Sequence, residues 1–483
     1  MKNLIVFVAV FIPSICTFAT NMNAVLESLK PAVVKVQVSS SNFFEADSNG
    51  SWFGTGFIVN KDLGLVVTNR HVAPAHSSLI EISFWQGSSV SAKLVYYDFD
   101  HDFSILKYDP KSSEIFETID EVELGSVYDL KLRDPVFLVG HSDGQEYSIA
   151  QGVVSSLTET DGKRHSLVIR TNMLRAGGSS GSAVVNDEAK VVAIHFAGKG
   201  PNSFELPIDY LKNVIDDIIE GKEIRRAEVG LKLKYVKVAD AIKYQSASDR
   251  LMTLWEQDSS DSVIKIGDTP KLIQINQVDP LSESSKVFKP GDILLSVDGL
   301  FFLDNLLELD RYLNTKVGEN VEVEFMRRGE VLVSSLPVKN AENYKITKYI
   351  EFAGSVFHEV TASLRFSLGI NQTGVYSPYS LPGAPILNLT GSPAKSPGKT
   401  YLVITEIDGI EINSINDMEQ ALIRMGSKNH FTLSYLDYYY TSSERISNVS
   451  IDRNSITRTC EVVRNGLSQD WVCNPIGTSK KLD

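Results

Sequence analysis

The chain has 483 residues, of which 43% are hydrophobic and 22% charged. These are proportions of a globular protein and exclude wholesale disorder, a collagen-like repeat and a many-span membrane protein. At roughly 150 residues per domain the length predicts two to four domains rather than one core, and 47 basic against 60 acidic side chains leave a formal charge of −13, a poor match to phosphate backbones that argues against a nucleic-acid partner.

Met1-Lys2-Asn3 carries one positive charge, Leu4 to Ile15 is apolar except for Ser14, and Thr17-Phe18-Ala19 offers a small-residue cleavage site. This predicts a secretory signal peptide over residues 1–19, and with it a periplasmic or secreted location. The apolar run is shorter than the ~20 residues a membrane span needs. Cys16 follows Pro13-Ser14-Ile15, a poor lipoprotein signal. Asn23 to Leu29 has the pattern of a short leading helix. From Pro31 to about Ala197 the chain alternates like β structure, as at Val34, Val36 and Val38, or runs apolar for a few residues, as at Phe57-Ile58-Val59, Leu65-Val66-Val67, Val136 to Val139 and Val191 to Ile194. Runs of that length punctuated by Gly, Asn and Asp predict an all-β barrel or sandwich, closed by a helix over Ile208 to Ile219.

Beyond about Glu220 the pattern becomes mixed, and Asp292 to Gly299 followed by Leu306, Leu309 and Leu313 recurs about 110 residues later as Tyr401 to Gly409 followed by Met418, Ala421 and Leu422. Recurrence at domain length predicts two tandem strand–turn–helix modules. The leucine stripe reads as module core before it reads as a binding groove. The stretch after about Asn448 is polar. Cys460 and Cys473, the only cysteines left once the leader is removed, suggest a disulfide in an oxidising compartment, with two free thiols as the alternative. No histidine stands near them to complete a zinc pattern, so neither a metal nor a cofactor is expected.

Three separated segments carry chemistry: Thr68-Asn69-Arg70-His71-Val72, His101-Asp102-Phe103-Ser104, and Gly178-Ser179-Ser180-Gly181-Ser182. A serine hydroxyl needs an imidazole to take its proton, and the imidazole needs a carboxylate to orient it. Backbone N–H groups of Gly178 and Ser180 would form the oxyanion hole, with side chains at Gly177, Gly178 or Gly181 expected to disturb it. The order His, Asp, Ser on an all-β domain is that of two-barrel serine proteases.

Gly54-Thr-Gly-Phe-Ile-Val, Thr68 to Val72, His101-Asp-Phe-Ser-Ile-Leu-Lys107 and Gly178-Ser-Ser-Gly-Ser-Ala183 together resemble the HtrA/Deg family of serine proteases. Lys289-Pro-Gly-Asp-Ile-Leu-Leu-Ser-Val-Asp-Gly299 resembles the signature of that family's PDZ domains, and Phe352 to Val360 with Gly374-Val-Tyr376 the divergent PDZ segment of its long eukaryotic-type members. The resemblance implies a multidomain chain: a trypsin-like double β-barrel over 20–222, a PDZ-like domain over 223–340, a divergent one over 341–447, and a tail over 448–483. It makes His71 the general base, Asp102 its orienting carboxylate ahead of the nearby Asp98 and Asp100, and Ser180 the nucleophile. Ser179, Ser182 and Ala183 stand where the family motif has Asn, a second Gly and Pro, so the resting shape of the oxyanion loop is left to the structure.

The resemblance further implies a substrate pocket lined by Leu174, Ile194, His195 and Phe196, apolar and therefore unsuited to charged side chains, and a peptide-receiving strand at Leu272, Ile273, Gln274 and Ile275. It implies unfolded proteins or peptides as substrates, C-terminal peptides as activators, and trimers or multiples of them, with Phe43 and Phe44 as aromatic contacts. Two rivals stand beside this reading. Gly177-Gly-Ser-Ser-Gly181 fits a nucleophile elbow with Ser179 as nucleophile, although a β-type run follows where that fold needs a helix. The altered motif also fits a proteolytically inactive, peptide-binding adaptor.

Overall fold

The computed structural model describes residues 26–476 except 42–43, 46, 48, 77, 86, 88, 113–115, 144, 161–165, 246–265, 268–269, 382, 390–398, 439–443, 451–458 and 466–469. The leader sequence and Phe43 therefore lie outside the described residues. Alternation builds the first barrel. In β1 (Val33–Ser40) Val34, Val36 and Val38 point inward while Gln37 and Ser39 are exposed, the period-2 burial of a strand with one wet face. With β2 (Gly50–Asn60), β3 (Leu65–Asn69), β4 (Leu79–Ser83), β5 (Ser89–Asp98) and β6 (Phe103–Tyr108) it closes a six-stranded barrel in the order β1-β2-β3-β6-β5-β4, sealed where Val36 faces Ile82.

A second barrel repeats the plan. β7 (Pro135–Ser142), β8 (Gln145–Glu159), β9 (Val168–Thr171), β10 (Ala183–Val185), β11 (Val191–Lys199) and β12 (Asn202–Pro207) close in the order β10-β11-β12-β9-β8-β7, with Ala183 opposite Val139 at the seam. The apolar runs Val136–Val139 and Val191–Ile194 fill its interior. Helix α1 (Asp209–Glu220) buries Tyr210, Leu211, Val214 and Ile215 at i, i+1, i+4 and i+5, one face of a 3.6-residue period. It stops at Gly221, whose φ of 67° suits glycine at a helix C-terminus.

Two sheet-rich units follow. β13 (Ala227–Glu228), β14 (Leu231–Lys237), α2 (Val238–Gln245), β15 (Lys271–Val278), β16 (Ile293–Val297), α3 (Leu306–Thr315), β17 (Asn320–Arg327), β18 (Glu330–Pro337) and β19 (Lys339–Asn340) include a five-stranded sheet in the order β14-β15-β16-β17-β18. Then come β20 (Lys348–Phe352), β21 (Ser355–Glu359), α4 (Ala362–Leu368), β22 (Val375–Ser380), β23 (Lys399–Ile407), β24 (Ile410–Glu411), α5 (Ile415–Met425), β25 (His430–Asp437), β26 (Glu444–Ser450), β27 (Cys460–Arg464) and β28 (Trp471–Pro475), whose strands form one sheet. The repeat seen in the sequence has a local cause. Asp298-Gly299 and Asp408-Gly409 both have positive φ at both residues, the conformation that selects Asp-Gly in tight hairpin turns. Leu306, Leu309 and Leu313 are buried, as the core reading requires.

Two expectations need correction. Leu272 to Ile275 do not receive a peptide: they lie in β15, flanked by β14 from Lys271 to Val278 on one side and by β16 on the other. The free edges of that sheet, among the described residues, are β14 and β18. The Cys460–Cys473 disulfide closes the β27–β28 hairpin, which pairs with β20. The hairpin also docks on the first barrel, where Trp471 Nε1 donates to the Ala75 carbonyl at 3.2 Å and Arg464 to that of Leu94 at 3.0 Å. Phe44 is not open to another copy of the chain. It is buried among the rings of His76, Tyr349, His358 and Trp471 at 5.0–5.9 Å. Among the described residues no helix is long and apolar enough to cross a membrane.

Candidate active site

Strand β3 ends at Asn69, and the chain turns at once, with Val72 and Ala73 N–H donating to the Asn69 carbonyl. This turn lifts His71 out of the barrel, its side chain 39% exposed. Asp102, just before β6, is fully buried and sits at φ 58°, a left-handed conformation that Asp tolerates better than bulkier residues. Three bonds fasten it under the turn. Its carbonyl accepts from Asn69 Nδ2 at 3.2 Å and from Arg70 N–H at 3.1 Å, and its Oδ1 accepts from His71 N–H at 3.0 Å. Oδ2 then lies 2.8 Å from His71 Nδ1. A carboxylate can only accept there, so Nδ1 carries the proton and Nε2 is left with a free lone pair.

The competing acid Asp98 is engaged elsewhere. Its carboxylate accepts from the N–H groups of Asp100 and His101 and from Arg226 Nε at 3.0 Å, and lies 3.1 Å from His101 Nδ1. Burial alone would raise its pKa, but His101 and Arg226 hold it well below the ordinary carboxylate range. Arg226 also pairs with Asp310 at 3.3 Å. Arg226 was not visible as a partner in the sequence, because it lies more than a hundred positions from Asp98.

Ser179 helps to hold the loop from Ala176 to Ser182. Its buried hydroxyl lies 2.5 Å from that of Ser142 and accepts from Ala176 N–H at 3.1 Å, while Ser179 N–H donates to the Ala176 carbonyl. Ser179 is thus a turn-holding side chain with no exposed hydroxyl, which removes the elbow reading. Around it, Asp143 N–H binds the Gly177 carbonyl at 2.7 Å, Thr55 Oγ1 binds the Gly178 carbonyl at 2.9 Å, and Thr55 N–H binds the Ser180 carbonyl at 2.8 Å. With those carbonyls turned away and occupied, the N–H groups of Gly178 and Ser180 donate to no acceptor among the described residues. Two unclaimed donors in one tight loop are the elements of an oxyanion hole.

Gly178 has φ 93°, and a Cβ there would stand 2.3 Å from Phe53 Cε2. At Gly181, φ 85°, it would stand 1.9 Å from the Thr55 carbonyl oxygen. Gly177 differs from the expectation: nothing lies within 4 Å of its Cβ position, so a side chain there has room. Gly54 brings the loops together. A Cβ on it would meet Val72, the neighbour of His71, at 2.7 Å and the Ser180 carbonyl at 3.0 Å, so β2 separates the histidine and serine loops by the thickness of one glycine. The half-buried Ser180 hydroxyl makes no hydrogen bond to the imidazole in this structure. Such bonds are often loose until substrate arrives.

The proposed pocket residues do not converge. Leu174 is 83% exposed, whereas Ile194 and Phe196 belong to the core of the second barrel. His195 is buried too, its Nδ1 2.9 Å from Glu205 and 3.1 Å from Ser203. Its backbone bonds are the ones that reach the serine loop: the His195 carbonyl accepts from Gly181 N–H and its N–H donates to the Ser182 carbonyl, holding the Ser180 loop against β11. Among the described residues no group of His, Cys, Asp and Glu side chains could hold a metal ion.

Residues 54–194 match the family model of the trypsin-like peptidase domain. The chain is similar to Protease Do-like 7 of Arabidopsis thaliana, 24% identical over 487 residues, covering 95% of this chain and 42% of that protein. It is similar to the pro-apoptotic serine protease NMA111 of Phaeosphaeria nodorum, 23% identical over 465 residues, covering 93% of this chain and 44% of the relative. The chain thus spans less than half the length of these curated relatives. Among solved structures, the HtrA-type protease AlgW with tripeptide is similar at a TM-score of 0.49 and 19% identity, over 66% of this chain and 96% of that one.

Proposed function

We infer that this chain is an HtrA-type serine protease, an endopeptidase whose acyl-enzyme forms on Ser180. The observation that carries this reading is the pairing of an Asp102-held imidazole with two backbone donors, Gly178 and Ser180 N–H, that have no protein acceptor. In the reaction His71 Nε2 takes the Ser180 proton as Oγ bonds to the scissile carbonyl carbon, and the two N–H groups bind the oxyanion that results. Collapse breaks the C–N bond, and the imidazolium gives its proton to the leaving amine. Water, deprotonated by the same imidazole, then attacks the ester and frees Ser180. Asp102 stays ionised throughout and stabilises the imidazolium.

Unfolded or damaged exported proteins are the substrates that fit this reading, export resting on the leader-like residues 1–19. The units over 223–340 and 341–447 act as PDZ-like modules that bind or sense peptide termini, where β14, as an open sheet edge, is suited to pair with an added strand. Assembly into trimers or their multiples belongs to the same reading and is measured by light scattering.

The test is cleavage of casein by the purified chain, with Ser180→Ala as the blank, and labelling by a fluorophosphonate located by peptide mapping. Cleavage lost in Ser180→Ala and label on Ser180 are expected. No cleavage by either form, with no label, would replace the protease by an inactive adaptor.

A further inference from the structure

We propose that the cavity where the first barrel meets both C-terminal units binds an organic cation, an ammonium or guanidinium group carried on an apolar body. The cavity lies between Phe44, Glu45, Asp47 and the Tyr96–His101 segment of the barrel, Arg226–Leu231 of the first unit, and Ala341–Ile346 with the start of α4 in the second. Its walls are rich in aromatic rings, among them Phe44, Tyr97, Phe99, Tyr344 and Phe366. Such walls suit an apolar body and attract a cation through their ring faces.

The charges lining it do not balance. Its three permanent cations are each already held by an acid: Arg70 by Asp47 at 3.1 Å, Arg226 by Asp98 at 3.0 Å and Lys345 by Glu342 at 2.7 Å. Three further carboxylates, Glu45, Asp100 and Glu228, make no ion pair among the described residues, although the charges of Arg70, Arg226 and Arg365 act on them in turn. Glu45, 7% exposed, accepts only from the Thr361 hydroxyl, Glu228 accepts from Gly230 N–H at 2.5 Å, and the Asp100 carboxylate accepts from nothing. Asp100 acts on both of the others, since its charge adds to burial in raising each of them, to about 7. A carboxylate held out of water without an ion pair is costly, and here the buried Glu45 and the part-buried Asp100 and Glu228 line one aromatic-walled space.

A metal ion does not satisfy this arrangement, because among the described residues no three such groups approach closely enough to hold one. A larger cation, with its charge spread over an ammonium or guanidinium and its body against the rings, fits both the carboxylates and the walls. The inference does not depend on the peptidase reading.

Calorimetric titration of the full chain carrying Ser180→Ala tests it, with three probes: 2-phenylethylamine, its neutral analogue 2-phenylethanol, and a capped Phe-Lys dipeptide whose only amine is the lysine side chain. Saturable binding of at least one amine probe, at least fivefold tighter than the alcohol, is expected. The tighter of the two amines tells whether the site takes free amines or peptide-borne ones. Asp100→Asn and Glu228→Gln should each weaken the amine at least fivefold. The proposal is overturned by no saturable binding of either amine, by an alcohol that binds within fivefold of them, or by affinities unchanged in both variants. The amine-to-alcohol comparison needs no cavity variant and stands even where one fails to fold.

Discussion

The hydroxyls of Ser179 and Ser142 lie 2.5 Å apart, so the residue before the proposed nucleophile is pinned to the end of β7. Losing one buried hydrogen bond costs about 1–2 kcal/mol, and here it would be felt as looser geometry of the Gly178 and Ser180 N–H groups. Ser142→Ala or Ser179→Ala should therefore lower kcat roughly 5- to 30-fold with little change in KM. Steady-state cleavage of a fluorogenic peptide checks this, and a fluorophosphonate should still label Ser180.

Gly178 and Gly177 make a contrasting pair. Alanine at Gly178 combines a disfavoured φ with a clash on Phe53 and should misplace an oxyanion donor, with a loss of about 10²–10³ in kcat. Alanine at Gly177 meets open space and should change kcat by less than about threefold.

The two acids should separate catalysis from stability. Asp102→Asn leaves the geometry but allows the wrong imidazole tautomer, and kcat should fall about 10⁴-fold while melting changes little. Asp98→Asn instead leaves Arg226 short of a buried partner, which should destabilise the fold by about 3–5 kcal/mol. Thermal unfolding followed by circular dichroism, beside activity at low temperature, reads both.

Glu45 predicts a pH dependence of opposite sign to an ordinary salt-bridged acid. Burial raises its folded pKa from the usual 4.5 to about 7, so the folded state holds the proton more tightly than the unfolded one. Its contribution is fully present below about 4.5 and is lost as pH rises through about 7, a change of roughly 3 kcal/mol. His141 and His358, lowered to about 4 chiefly by burial, act in the other sense, losing stability as pH falls from 6.5. The difference in melting temperature between Glu45→Gln and the parent chain cancels the histidines, and it should move in favour of the variant between pH 5 and pH 8.

The Cys460–Cys473 hairpin bears on the histidine turn through Trp471 and Ala75. Cys460→Ser with Cys473→Ser removes a short closed loop whose constraint contributes about 3 kcal/mol. Faster hydrogen exchange over residues 73–76 and 460–475, without loss of the barrel cores, is the expected result.

Much of this architecture was legible in the residues themselves, because its causes are local. Period-2 alternation at Val34, Val36 and Val38 reports a strand wherever it folds, and Asp-Gly at 298–299 and 408–409 selects a left-handed turn through its own backbone sterics. The His71, Asp102 and Ser180 segments stood out for the same reason. Which acid lies against His71 was decided elsewhere: Arg226 holds Asp98, and no local pattern announces a partner so far along the chain. Burial of Phe44 by Tyr349, His358 and Trp471, the inner position of β15, the exposure of Leu174 and the unpaired carboxylates at the three-way junction likewise depend on segments that meet only after folding. Dihedral preference acts between neighbours in sequence, whereas burial and charge pairing act between neighbours in space, and only the folded chain determines who those neighbours are.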